Sequence, residues 1–116
     1  MSLISMGGTS NCLTLGFDGT MNPANARILR ALIQNQFHGR QKTFLLLDLT
    51  GLNYQDEAGL DSWIEALTDL YTQCEAMGRG FRLLDPPRTL LFAFQERKRD
   101  ALLEFVLETE CRPIPT

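Results

Sequence analysis

Apolar and polar residues alternate over residues 12–17, and this pattern predicts the first strand. A period of two is typical of a strand with one buried face. The turn formers at residues 18–20 predict the end of the strand. Residues 1–10 have neither a clear period nor a signal-peptide pattern, and we expect them to form a flexible lead-in.

A helix and a second strand are predicted next. Asn22 is a favourable N-cap, Pro23 suits the first helical position, and Gly39 is a natural terminator after an apolar stripe. Residues 44–47 are continuously apolar, which predicts a strand that is covered on both faces, as in a parallel sheet. We expect residues 51–55 to form a loop.

The strongest periodic signal begins near Asp56 and ends before Gly78. Apolar residues recur there at spacings of three and four, which predicts a long amphipathic helix. We expect Trp63, at its helical spacing, to belong to the core rather than to a binding surface.

The alternation continues with a short strand at residues 81–84 and a helix from Pro87 or Arg88. Residues 101–108 fit a helix or a final strand, and we favour the helix, followed by an irregular tail at 113–116. Strands and helices in this order predict an α/β fold. We expect a single-layer, mostly parallel sheet of about four strands covered by helices, within one domain over residues 11–112.

Composition narrows the function classes. The chain has 116 residues and a formal net charge of −3, which argues against a nucleic-acid-binding protein. No apolar run is long enough to insert into a membrane. The three cysteines Cys12, Cys74 and Cys111 are far apart, which favours reduced thiols in the cytoplasm.

No recognisable catalytic or cofactor motif is present. The sequence has no phosphate-binding loop, dinucleotide fingerprint or nucleophile elbow. His38 is the only histidine, and we expect it to contact a carbonyl in the last turn of the first helix. We therefore predict no catalytic residues, no metal site and no cofactor.

Acidic residues crowd the start of the long helix, at Asp56, Glu57 and Asp61. One interpretation is structural, because carboxylates near a helix N-terminus stabilise it by about 0.3–1 kcal/mol each. The other is functional, because loops at the carboxyl ends of strands in open α/β sheets commonly bind ligands.

Three segments in a fixed order resemble the STAS family (sulphate transporter and anti-sigma factor antagonist domains). They are Phe17-Asp18-Gly19-Thr20-Met21-Asn22, Leu45-Leu46-Leu47-Asp48-Leu49-Thr50-Gly51-Leu52 and Asp56-Glu57-Ala58-Gly59-Leu60. The last segment resembles the family motif D-S-S-G-L. The resemblance implies a bacterial protein-interaction domain rather than an enzyme.

The resemblance also implies a phosphorylation site, and this chain departs from it. In regulatory members a partner kinase, which is also the anti-sigma factor, phosphorylates the second serine of D-S-S-G and so blocks binding. Ala58 stands at that position and has no hydroxyl. A displaced phosphosite at Thr50, Tyr54 or Ser62 is an alternative.

The resemblance further implies a partner-binding surface and two functions. We expect Gly59 to let another chain approach and Leu60 to lie at the rim of the contact. The first function is a constitutively binding-competent signalling adaptor for a kinase-like anti-sigma factor or a signalling assembly. The second is an accessory subunit of a membrane-lipid ABC transporter that contacts its ATPase. The predicted surface comprises Asp18, Asn22, Tyr54, Gln55, Asp56, Glu57, Ala58, Gly59 and Leu60.

Two features of the third helix remain. Arg97-Lys98-Arg99 is a basic run that we expect to complement the helix C-terminus. Phe92 and Phe94 lie in a dense apolar stretch, which indicates either an exposed surface for a partner or a second copy, or burial under the C-terminal tail.

Overall fold

A pair of strands opens the chain, and helices and strands alternate after it. The computed structural model describes residues 3–9 and 11–97. The elements are β1 (Leu3–Gly8), β2 (Cys12–Thr20), α1 (Pro23–Ile33), a π-helical turn (Gln34–His38), β3 (Phe44–Asn53), α2 (Glu57–Ala76), β4 (Gly80–Leu84) and α3 (Arg88–Glu96). The predicted order of helices and strands is therefore confirmed from β2 to α3.

The four strands form one sheet in the order β1-β2-β3-β4. β1 is antiparallel to β2, whereas β2, β3 and β4 are mutually parallel. Leu15, Leu47 and Leu83 lie side by side across the three parallel strands, and each is at most 1% exposed. This row forms the centre of the sheet face on which the helices pack, and the mostly parallel sheet agrees with the predicted fold class.

The helices complete one hydrophobic core with that face of the sheet. Trp63 from α2, Phe37 from the π-helical turn and Phe94 from α3 are fully buried. Burial of each such side chain contributes about 1.5–3 kcal/mol relative to exposure. Trp63 is therefore a core residue, as its spacing predicted. No helix within residues 3–9 and 11–97 is long and apolar enough to cross a membrane.

The expectation that β3 is covered on both faces is wrong for the described residues. Leu45, Leu47 and Leu49 are fully buried, but Phe44 and Leu46 on the other face are only half-buried. The buried positions of β3 and the buried residues of the helices belong to one core, and Phe44 and Leu46 are not part of it. β3 also continues to Asn53, so that part of the predicted loop is strand.

The expectation of a flexible lead-in is also wrong, because residues 3–8 form β1. Gly8 has a φ of 119°, and a Cβ there would lie 2.1 Å from the Cys12 carbonyl oxygen. The Thr9 N–H donates to that same oxygen at 2.9 Å, which closes the turn into β2. Pairing with β2 therefore orders a segment that has no strong strand pattern of its own. The predictions for residues 101–108 and 113–116 lie outside the described residues.

The end of α1 widens into the π-helical turn, where the Gly39 N–H donates to the Gln34 carbonyl at 2.9 Å. His38 does not make the predicted contact with a last-turn carbonyl. Its Nδ1 lies 2.9 Å from Arg79 Nη1, and the Arg79 guanidinium lies 5.5 Å from the Phe37 ring centre. Because Arg79 can only donate, the imidazole accepts this hydrogen bond in its neutral form.

This contact predicts a pH dependence of stability. Burial, and secondarily the charge of Arg79, lower the pKa of His38 from its ordinary value of 6.5. At His38 the folded state therefore binds fewer protons than the unfolded state. The contribution of His38 to the free energy of unfolding is present above about pH 6.5 and is lost as the pH falls. We expect the urea midpoint of the wild type to fall between about pH 7.5 and pH 5.5, a range that spans the ordinary histidine pKa.

The matched variant is His38→Gln, which keeps a polar side chain that does not titrate. Its urea midpoint should change less over the same pH range, and the difference between the two proteins isolates His38 from the carboxylates. Equal pH dependence in both proteins would show that His38 is not responsible.

Candidate functional site

The site is built at the start of α2, where the chain leaves β3. Asp56 is the N-cap, as predicted, and its Oδ1 accepts from the Gly59 N–H at 2.9 Å. Gln55 Nε2 donates to the other Asp56 oxygen at 3.3 Å. Asp56 is therefore held by the helix it caps, which satisfies one of the free N–H groups at the helix start.

Gly59 is the point where α2 contacts the loop between β2 and α1. A Cβ at Gly59 would lie 1.9 Å from the Met21 carbonyl oxygen, a distance that no side chain allows. Met21 is fully buried, and its N–H donates to the Asn53 carbonyl at 2.8 Å. The absence of a side chain thus serves a contact within the chain, not the approach of a partner as we expected from the sequence.

A second contact fastens the same two segments. Trp63 Nε1 donates to the Asn22 carbonyl oxygen at 3.0 Å, and the Trp63 ring packs edge-on against Phe17 with ring centres 5.1 Å apart. Asn22 also caps α1, because its Oδ1 accepts from the Asn25 N–H at 2.8 Å. One residue therefore links the first turn of α1 to the buried side of α2.

Burial divides the predicted surface into two groups. Gly59 is buried and Leu60 is only 5% exposed, so neither offers a partner much surface. Asn22 is half-buried. The exposed members are Asp18, Tyr54, Gln55, Asp56, Glu57 and Ala58. We name this exposed set the α2 entrance surface.

Arg97 joins the start of α2 from the end of α3, a contact that sequence reasoning missed. Its Nη2 forms a short ion pair with Asp61 and lies 3.8 Å from a carboxylate oxygen of Glu57. Arg97 also donates weakly to the Ala93 carbonyl at 3.5 Å, which agrees with the predicted role at the α3 C-terminus. The only signal in the sequence was opposite charge, which does not specify which acidic residues meet Arg97.

A further polar cluster lies where β2, β3 and β4 end. Asp48 Oδ1 accepts from the Thr50 hydroxyl at 2.6 Å, and Asp85 Oδ2 lies 3.5 Å from the same hydroxyl. Asp18 faces Gly51 so closely that a Cβ at Gly51 would lie 2.6 Å from Asp18 Oδ1. Within residues 3–9 and 11–97, however, no group of three or more His, Cys, Asp and Glu side chains is placed to hold a metal ion.

The exposed side chains of the α2 entrance surface are chemically mixed. The α2 entrance surface combines carboxylates, an amide and the aromatic ring of Tyr54, which is 45% exposed. His38, the only histidine of the chain, lies at the far end of α1 from Asn22. The candidate phosphosites differ in accessibility, because Thr50 and Tyr54 are exposed whereas Ser62 is half-buried.

Comparison with known proteins identifies the family. The STAS domain model matches residues 4–109, so the chain belongs to the STAS family. No curated protein sequence is significantly similar to the chain.

Solved structures share the fold at low sequence identity. The chain is similar to the anti-sigma factor antagonist SpoIIAA in its unphosphorylated form, with a TM-score of 0.67 and 18% identity over 83% of this chain and 81% of that one. The phosphorylated form of SpoIIAA from Bacillus gives 0.65 and 18% over 82% and 83%. An anti-sigma factor antagonist from Mycobacterium paratuberculosis gives 0.63 and 16% over 90% and 94%.

The Gly59 contact predicts a large effect from a single methyl group. Gly59→Ala would place Cβ against the Met21 carbonyl, and overpacking of this kind typically costs about 1–3 kcal/mol. The better helix propensity of alanine, about 1 kcal/mol, opposes this cost but does not cancel an overlap with backbone. We expect a net loss of stability, measured by urea denaturation.

The matched control is Gly7→Ala in β1, where a Cβ would have no atom within 4 Å. We expect that variant to lie within about 0.5 kcal/mol of the wild type. If Gly59→Ala is as stable as Gly7→Ala, the contact between α2 and the β2–α1 loop is not the constraint that we describe.

Proposed function

We propose that this STAS domain is a non-catalytic signalling adaptor of the anti-sigma-factor-antagonist kind, which binds its partner through the α2 entrance surface without a phosphorylation switch at position 58. The observation that carries the proposal is Ala58, which is exposed in the first turn of α2, two residues after the Asp56 cap. This is the position at which the family resemblance expects the phosphoacceptor serine. The partner is a kinase-like anti-sigma factor or a signalling assembly.

The environment of Ala58 supports a binding role that a negative charge would disturb. Asp56, Glu57 and Asp61 surround the first turn of α2, and Arg97 contacts two of these three carboxylates. The group keeps a net negative charge, and a partner that packs on the uncharged Ala58 would have to desolvate any carboxylate placed at that position. A further charge at position 58 would add repulsion on the same turn, whereas alanine adds none.

The rigid support beneath Ala58 favours a preformed contact. Gly59 and Leu60 follow it into the core, and Trp63 one turn later is tied to the Asn22 carbonyl. A surface fixed in this way loses little conformational entropy when it binds. These features fit a domain that is competent to bind at all times.

The alternative is the accessory subunit of a membrane-lipid ABC transporter, in which the domain contacts the ATPase. Constitutive assembly equally needs no phosphoacceptor, so Ala58 alone does not separate the two functions. The identity of the partner, together with the sensitivity of the contact to charge at position 58, does separate them.

The test is affinity capture from soluble and detergent-solubilised lysate of the native organism, with mass spectrometry. Wild type, Ala58→Ser and Ala58→Asp are compared, and Ala76→Asp is the control, because Ala76 is exposed at the opposite end of the same helix. We expect recovery of a kinase-like anti-sigma factor or sensor assembly with wild type, Ala58→Ser and Ala76→Asp. Recovery should fall at least about tenfold with Ala58→Asp, equivalent to roughly 1.4 kcal/mol.

Two results would contradict the proposal. Recovery of a transporter ATPase that is indifferent to all three substitutions would support the accessory subunit and place the contact elsewhere on the domain. A signalling partner lost equally with Ala58→Asp and Ala76→Asp would show a general effect on the helix rather than a contact at its start.

A further inference from the structure

The sheet has two outer strands, β1 and β4, and they differ in charge. β1 has the sequence Leu-Ile-Ser-Met-Gly-Gly, with no charged residue and no proline over its six residues. β4 is five residues long, carries Arg82 and is flanked by Arg79 and Asp85. Charged residues and short length are common means of preventing an edge strand from pairing with another chain. β4 is thus both charged and short, whereas β1 is uncharged and one residue longer.

β1 pairs with β2 alone among the described residues. In an antiparallel pair, alternate residues direct their N–H and C=O groups towards the neighbouring strand, and the others direct them away. Roughly half of the backbone groups of β1 therefore point away from β2, to the side on which no strand of residues 3–9 and 11–97 lies; we call this the open side. Met6, near the middle of the strand, is 55% exposed. The open side thus offers hydrogen-bonding groups beside an apolar side chain.

We propose that β1 is a self-pairing edge, through which two copies of this chain associate in antiparallel fashion and join their four-stranded sheets. A twofold axis through the middle of the strand brings residues 5 and 6 close to their own copies, so a charge there would meet its like. The absence of charge over Leu3–Gly8 removes that repulsion, and this favours a second copy over a partner selected by charge. Once the two β1 strands have paired, the outer strands left among the described residues are the two charged β4 strands, so association stops at the dimer.

The expected dimer is weak. Six residues in each strand make a small contact, and protein interfaces well below about 1,200 Å² in total are typical of transient association. The proposal does not depend on the α2 entrance surface or on its partner. It also differs from association through α3, where Phe92 is 62% exposed.

The test is sedimentation of the full chain over a range of concentrations, with a pair of charge variants at Met6. We expect the wild type to pass from monomer to dimer as concentration rises, and Met6→Lys or Met6→Glu to weaken the dimer at least tenfold. An equimolar mixture of the two variants should associate more strongly than either alone, because unlike charges then meet across the axis. Phe92→Lys is the matched control and should dimerise like the wild type.

Amide hydrogen exchange provides the second measurement. Amides of residues 3–8 should become more protected as the wild-type protein is concentrated, and this change should be absent in Met6→Lys. A protein that stays monomeric at every concentration overturns the proposal. If the β1 amides are protected equally at every concentration, another part of the same chain covers the open side of β1, and the proposal is wrong. A dimer lost in Phe92→Lys but kept in Met6→Lys would place the interface on α3.

Discussion

The carbonyl of Met21 lies where any side chain at position 59 would have to be, and the positions of several elements depend on this contact. It sets the distance between α2 and the loop that joins β2 to α1. On the other side of the same loop, the Met21 N–H is bonded to the Asn53 carbonyl at the end of β3. A single buried residue thus connects the ends of two strands with the start of a helix.

The consequences of that contact extend inwards and outwards. Inwards, it brings Trp63 within reach of the Asn22 carbonyl and of the Phe17 ring, so the largest side chain of the core is fixed by packing and by a hydrogen bond. Outwards, it leaves the three preceding residues of the segment, Asp56, Glu57 and Ala58, facing solvent. The first turn of α2 therefore lies between the core and the surface that we propose for the partner. Packing against the core holds this surface rigid.

The sequence predicted the parts of this arrangement that depend on local chemistry. The bounds of α2, the Asp56 and Asn22 caps and the burial of Trp63 follow from periodicity and from the preferences of helix termini. β1 was missed because pairing with β2 orders it, and a single sequence does not show which segments pair. Gly59 was noticed but misinterpreted, because the residue that approaches it lies 38 positions earlier in the chain. Arg97 was likewise assigned only to its own helix, although its ion pairs lie on α2.

The two surfaces proposed for this protein lie on different elements but are not independent in their effect. Leu3 of β1 pairs with Asp18, so the open edge begins beside the end of the sheet that carries the α2 entrance surface. A dimer through β1 would form on the side of β2 that faces away from β3, whereas Ala58 follows the end of β3 in the chain. Such a dimer carries two α2 entrance surfaces. When a dimeric partner has bound one of them, the other is held nearby at a high effective concentration. Weak self-association would then strengthen binding to such a partner without any new contact at the entrance, and a monomeric partner would gain nothing from it.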